Sequence, residues 1–245
     1  MPANTIPGYI MGHRFSDDPA DYNSGTKRFL DKAGYGARAD LRVTVGDPVF
    51  ETVNGQRAVR LNNQCHGVFA SPIPWQGSAI FVLKPWMVGG ATTTRYPILF
   101  GDAVTASSNG HLSVVFASGA RRAGLATPSA QLSGTLQRND DNAVVVAYSI
   151  SQEARTMYRS SDGITVTPTV GPASLLNGNA IALGSAQFGA RWGNLNAVAG
   201  DTTLETVLTV SMMEQHYFSE NILVGGNLAL TAAFIAELKT QYGAS

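Results

Sequence analysis

Ala143-Val-Val-Val-Ala-Tyr-Ser-Ile150 is eight residues of β-branched and aromatic texture, set between the polar stretch Asn139-Asp-Asp-Asn142 and the break before Arg155. A short run of this kind reads as a strand. The same texture recurs at Ala58–Leu61, Ala79–Leu83, Tyr96–Phe100, Leu112–Phe116, Ile164–Thr167, Ala180–Gly184 and Leu204–Met212. Between and beside these runs stand Asn54-Gly55, Asn109-Gly110, Asp162-Gly163 and Asn177-Gly178, dipeptides that readily supply the positive φ angles of tight hairpins. Eight or more short strands with hairpin signals predict an all-β, antiparallel sandwich or barrel.

Only the end of the chain carries a helical period. Phe234, Ile235, Leu238 and Tyr242 fall on one face, Thr231 is placed to cap, Leu230 and Ile235 to form a staple, and Gly243 to stop the helix. This predicts a helix over about 231–242 with one side docked on the sandwich. Residues 1–45 are polar and punctuated, as in Ser16-Asp-Asp-Pro-Ala-Asp-Tyr-Asn-Ser-Gly25, and read as an extended arm. Residues 46–245 then form a single sandwich domain.

The chain has 245 residues, with 17 basic and 17 acidic side chains and a formal net charge of 0. That balance argues against nucleic acid and anionic membranes as partners, a local patch aside. Charged residues make up 14%, against roughly 25% in ordinary soluble domains. Such a surface suits burial against neighbours. No apolar stretch approaches the ~18 residues of a membrane span, and the N-terminus lacks the pattern of a secretory signal. The expectation is synthesis and folding in a cytoplasm, with no membrane insertion.

Catalytic chemistry finds little to build on. The histidines His13, His66, His111 and His216 are far apart in sequence, and Cys65 and His66, as neighbours on a strand, would point to opposite faces. Asp17, Asp18 and Asp21, and Asn139 to Asn142, offer hard oxygen ligands without calcium-loop spacing; solvated turn residues are the plainer reading. No phosphate-binding glycine motif is present. Arg121 and Arg122, in a turn-like segment, could join Arg138 in a small basic patch, although a solvated loop explains them as well. Glu205 and Glu214 lie nine residues apart, on opposite faces of an uninterrupted strand, which separates them too far for a glycosidase pair. No catalytic residue, metal or cofactor is expected. Among the aromatics, Trp192 in Gly189-Ala-Arg-Trp-Gly-Asn-Leu-Asn196 sits in a polar, loop-like setting, where it could stack on a sugar beside Asn194 and Asn196. Trp75 and Trp86 flank an apolar strand and read as core.

The order of these features resembles the concanavalin A-like lectin and glucanase superfamily, in particular its laminin-G-like jelly rolls. The matching parts are Asp31-Lys-Ala-Gly34, Asn54-Gly-Gln-Arg-Ala-Val-Arg-Leu61 and Gln76-Gly-Ser-Ala-Ile-Phe-Val-Leu-Lys-Pro85. They continue with Ala143 to Tyr158 around Arg159-Ser-Ser-Asp-Gly163, and with the last strand through Met213-Glu214 followed by Phe234 to Gly243. The resemblance spans roughly residues 31–243 and implies a jelly roll. The glucanase strand motif and the lectin metal loop of that superfamily have no counterpart here. Laminin-G-like jelly rolls also serve as structural and adhesion modules, including on bacteriophage particles. The leading expectation is therefore a non-enzymatic virion structural protein at the particle surface, decorating a capsid through contacts with other virion proteins or copies of itself. A glycan-binding adhesion module using Trp192, Asn194 and Asn196 is the alternative, and a polysaccharide-degrading enzyme a third.

Overall fold

The computed structural model describes residues 2–16, 22–29, 41–45, 47–61, 66–69, 77–87, 98–101, 111–117, 120–127, 130–132, 142–150, 155–159, 163–167, 191–192 and 208–244. Its strands form two sheets, with every pairing between them antiparallel. The first sheet runs through Gly163–Thr167 (β15), Arg155–Arg159 (β14), Val144–Ile150 (β13), Gly77–Met87 (β8), Leu208–Phe218 (β17), Gln56–Leu61 (β6) and Val49–Val53 (β5). Tyr9–Arg14 (β1) also pairs with β17. The second sheet runs through Ala130–Leu132 (β12), Ala120–Thr127 (β11), His111–Ala117 (β10), Ile98–Gly101 (β9), Arg191–Trp192 (β16), His66–Phe69 (β7), Leu41–Val45 (β4), Arg28–Phe29 (β3) and Tyr22–Asn23 (β2). The predicted antiparallel sandwich is the observed one.

The unbroken apolar run of β13 has a physical reason. Val145 and Ala147 face a cluster completed by Phe234, Ile235, Leu238 and Tyr242 of the helix Asn227–Tyr242 (α1). Val144 and Val146, opposite Leu83 and Phe81, are buried too. The first sheet is thus covered on both faces, by α1 on one and the second sheet on the other, so its central strands need apolar side chains at successive positions. Phe50 of β5 contacts Tyr22 and Phe29 of the second sheet, and Phe15 meets Phe29 edge-on at 5.1 Å between ring centres. Each large apolar side chain that α1 buries stabilises the fold by about 1.5–3 kcal/mol.

α1 ends as the sequence predicts, on Gly243 at φ 56°. It begins four residues before the expected Thr231. Thr231 instead lies inside the helix, where its hydroxyl donates to the carbonyl of Ile222 at 2.7 Å. The hairpin at Asn54-Gly55 has φ 49° and 76°, as a tight turn with two positive φ angles requires. Asn54 does more than turn the chain: its amide donates to the carbonyls of Tyr242 and Gly243 at 3.0 and 3.3 Å, capping α1 from another element.

Residues 1–45, expected as an arm, contribute strands to both sheets. In its described parts, β1 pairs with β17, while β2, β3 and β4 form one edge of the second sheet. Met11, Phe15, Phe29, Leu41 and Val43 are buried. These apolar residues, spaced among polar ones, hold the segment against the body. Arg121 and Arg122 also differ from expectation, as successive residues of β11 opposite Phe116 and Val115. They are neighbours on a strand and not in a turn; Arg138 is outside the described residues.

Candidate functional site

The most concentrated polar chemistry among the described residues lies where β1, β17 and α1 meet. Along β17, β6 is the neighbour up to Met212, and β1 takes that side from Glu214 onward. Met213 is an extra residue at this handover, because Met212 pairs with Leu83 and Glu214 with Val82. Such a bulge re-aims the strand. It lets Met213 and Glu214 both serve the face under α1, where Met213 joins the core cluster and Glu214 meets Tyr242.

Glu214 is 2% exposed. Its Oε1 accepts from His216 Nε2 at 2.6 Å and lies 3.4 Å from Arg14 Nε, and its Oε2 accepts from the Tyr242 hydroxyl. With the Tyr242 proton committed, Ser16 Oγ at 2.8 Å donates to the phenolic oxygen. The other ring nitrogen of His216, Nδ1, lies 3.3 Å from the Tyr9 hydroxyl, within hydrogen-bonding distance. Gly12 stands directly opposite His216. A Cβ there would lie 2.9 Å from His216 Cε1, and closer still to Nδ1 and the Tyr9 oxygen, so only glycine fits. Burial pushes the Glu214 carboxyl upward, but the hydrogen bond and charge of His216, the charge of Arg14 and the Tyr242 hydroxyl outweigh it and hold the group below its ordinary value. Burial, then the neighbouring Glu214 charge and hydrogen bond, push the Tyr242 phenol well above its ordinary value.

The alternate residues of the same strands face the second sheet. Gln215 Nε2 lies 3.1 Å from His13 Nδ1, and its Oε1 accepts from the Tyr217 hydroxyl at 3.3 Å. His13 stacks on Phe15, and Phe81 meets Tyr217 edge-on. A second carboxylate, Glu51, accepts from Arg60 Nε at 3.0 Å and from the Ser211 hydroxyl. His13 and His216, remote in sequence, therefore stand on adjacent positions of paired strands, on opposite faces. The sequence carried one signal for this: Glu214-Gln-His216 interrupts an apolar strand at positions that burial forces to find partners. Glu214 and His216 are both nearly solvent-free, and this acid–base set joins three elements.

Of the residues expected to contact sugar, Trp192 lies on β16 opposite Gly67 and Phe100, and Gly67 is in turn opposite the buried Val43. Asn194 and Asn196 are outside the described residues, as are Cys65, Glu205, Asp17, Asp18, Asp21 and the stretch Asn139 to Asp141. Among the described residues, no group of three or more His, Cys, Asp or Glu side chains is placed to hold a metal ion, and no helix is long and apolar enough to cross a membrane.

The whole sandwich has structural counterparts. It is similar to the binding domain of botulinum neurotoxin serotype C1, with a TM-score of 0.56 and 12% identity over 94% of this chain and 52% of that one. It is also similar to a Trypanosoma rangeli sialidase mutant displaying trans-sialidase activity, with a TM-score of 0.54 and 12% identity over 98% of this chain and 34% of that one. The chain thus spans about half the length of the neurotoxin domain and a third of the sialidase. At these identities the likeness is one of fold. No protein-family model and no curated protein sequence matches the chain.

Proposed function

We propose that this chain is a non-catalytic β-sandwich module that binds a glycan through its exterior. The observation that carries the reading is that the concentrated acid–base groups, Glu214, His216 and Tyr242, are consumed in joining β1, β17 and α1, which leaves the exterior for recognition. The fold likeness adds support, since it extends to Trypanosoma rangeli sialidase holding 2,3-difluorosialic acid, at a TM-score of 0.53 and 11% identity. A sandwich scaffold can carry either binding or catalysis, so the site must decide. The test is a glycan array probed with the full chain, paired with a hydrolysis assay on each glycan bound. Retention of at least one glycan without its cleavage is expected; cleavage, or no signal above background, refutes the reading.

A second reading, a particle-attached structural jelly roll, is favoured by the low charge content of 14%, which suits a surface covered by protein neighbours. It predicts that purified virions contain the chain at a fixed stoichiometry, as measured by quantitative mass spectrometry. Virions without it end this reading.

A further inference from the structure

The hairpin turn Asn54-Gly55 carries a chemistry that its place in the fold does not use. Where glycine follows asparagine, no side chain shields the next backbone nitrogen, so that nitrogen can approach the asparagine carboxamide closely. Here both residues are exposed, Gly55 holds φ 76°, and a Cβ built on it would meet nothing within 4 Å. Water therefore reaches the turn, and no neighbouring group crowds Gly55.

We infer that Asn54 is a site of spontaneous deamidation whose rate is set by the docking of α1. In the first step the backbone nitrogen of Gly55 attacks Asn54 Cγ, its proton passes to the departing Nδ2, and ammonia leaves a succinimide ring. Water then opens that ring at either carbonyl, giving aspartate, or isoaspartate in which the main chain runs through the former side chain. Water is the only co-reactant, and nothing is oxidised or reduced. Fold and reaction compete for the same nitrogen. Asn54 Nδ2 donates to the carbonyls of Tyr242 and Gly243 at 3.0 and 3.3 Å, terminal carbonyls of a helix that have no intrahelical donor. Ammonia cannot leave while both bonds hold, so ring closure proceeds from molecules in which the last turn of α1 has frayed.

The product reverses the interaction. A carboxylate at position 54 accepts hydrogen bonds but has none to give, and it faces carbonyls at the negative end of the helix dipole. Isoaspartate also adds a backbone atom to a two-residue turn between the paired Val53 and Gln56, where turn length fixes the register. The effect reaches inward through Tyr242, whose hydroxyl donates to Glu214 and lies 2.8 Å from Ser16 Oγ. Loosening the last turn of α1 therefore disturbs the buried network that holds β1. The hairpin acts as a one-way timer on the docking of α1.

The test incubates the intact chain, and separately a free peptide of residues 51–58, at mildly alkaline pH. Ion-exchange chromatography follows the conversion, since each event adds a negative charge to a chain of formal net charge 0. Peptide mapping assigns the site, separating Asn54 from Asn109 and Asn177, which also precede glycine. The expected result is conversion at Asn54 in the intact chain, about tenfold or more slower than in the peptide because only the frayed fraction reacts. Tyr242→Phe, which releases the last turn from Glu214 while keeping the buried ring, should convert faster than the wild type. Asn54→Asp supplies a product directly, and the end of α1 should exchange its amide hydrogens faster in it than in Asn54→Gly, which suits the positive φ but brings no carboxylate. No conversion at Asn54, or conversion as fast in the folded chain as in the peptide, overturns the inference. So does an unchanged rate in Tyr242→Phe, or exchange in Asn54→Asp no faster than in Asn54→Gly.

Discussion

Gly12→Ala places one methyl group where β1 crosses the His216 ring, and the structure sets the size of its effect. The new Cβ would have to displace both the His216 imidazole and the Tyr9 hydroxyl, because each is nearer than any real Cβ contact. Overpacking of this kind costs about 1–3 kcal/mol. Moving the imidazole also breaks the 3.3 Å contact with Tyr9 and lengthens the 2.6 Å bond to Glu214, worth about 1 and 1.5–3 kcal/mol respectively if lost outright. Against this, replacing glycine by alanine in regular structure returns about 0.5–1 kcal/mol. The net expectation is about 3 kcal/mol of destabilisation, or a fall of about 6–12 °C in Tm for a chain of this size. Urea unfolding followed by tryptophan fluorescence reads the free energy. Gly226→Ala is the control: Gly226 has φ −64° and open space around it, so the same chemical change should stay within about 0.5 kcal/mol. Tyr9→Phe removes one of the two obstructing atoms, so it should cost less in the Gly12→Ala background than alone. Equal stability of Gly12→Ala and the control, or strict additivity with Tyr9→Phe, would refute the proposed crowding.

Glu214→Gln should destabilise by about 2–4 kcal/mol, because it removes the charge that His216, Arg14 and Tyr242 converge on, as denaturant titration at neutral pH would register. The carboxyl is held below its ordinary value, so the unfolded chain binds the proton more readily; the wild type should lose stability as pH falls from about 5, and Glu214→Gln should flatten that slope. The raised Tyr242 phenol keeps its proton in the fold while the unfolded chain releases it, so stability should also fall above about pH 10, and Tyr242→Phe should reduce this alkaline loss. Asn54→Ala removes a positive-φ turn residue and the amide that caps α1; a loss of about 1–2 kcal/mol is expected, with the last helical turn exchanging its amide hydrogens faster.

The parts of the fold legible in the sequence are those whose signals are local. Val144 to Ala147 announced a central strand because four successive buried positions leave no room for a polar alternate. Phe234, Ile235, Leu238 and Tyr242 declared their shared face, and Gly243 its helix stop, within a single segment. β1 was hidden for the opposite reason. Tyr9-Ile-Met-Gly-His-Arg14 mixes glycine, histidine and arginine because its partners are His216 and Glu214, and nothing near it in sequence says so. The start of α1 was displaced because Thr231, a good cap in isolation, is spent on the Ile222 carbonyl. The buried network escaped notice because it depends on a bulge at Met213, which no composition rule marks.

The position of β17 has a consequence for how the chain is made. It is the hub of the first sheet, with β8 along one side and β6 and β1 sharing the other, yet among the described strands it is the last to leave the ribosome. Until then β8 and β6 have no common neighbour, and β1 must wait until the strands between it and β17 have all been made. Closure of so many long-range pairings at the end makes folding slow and leaves apolar edges open meanwhile. A nascent chain stalled before residue 208 is consequently not a smaller version of this protein but a sheet without its keystone, and a natural substrate for chaperones.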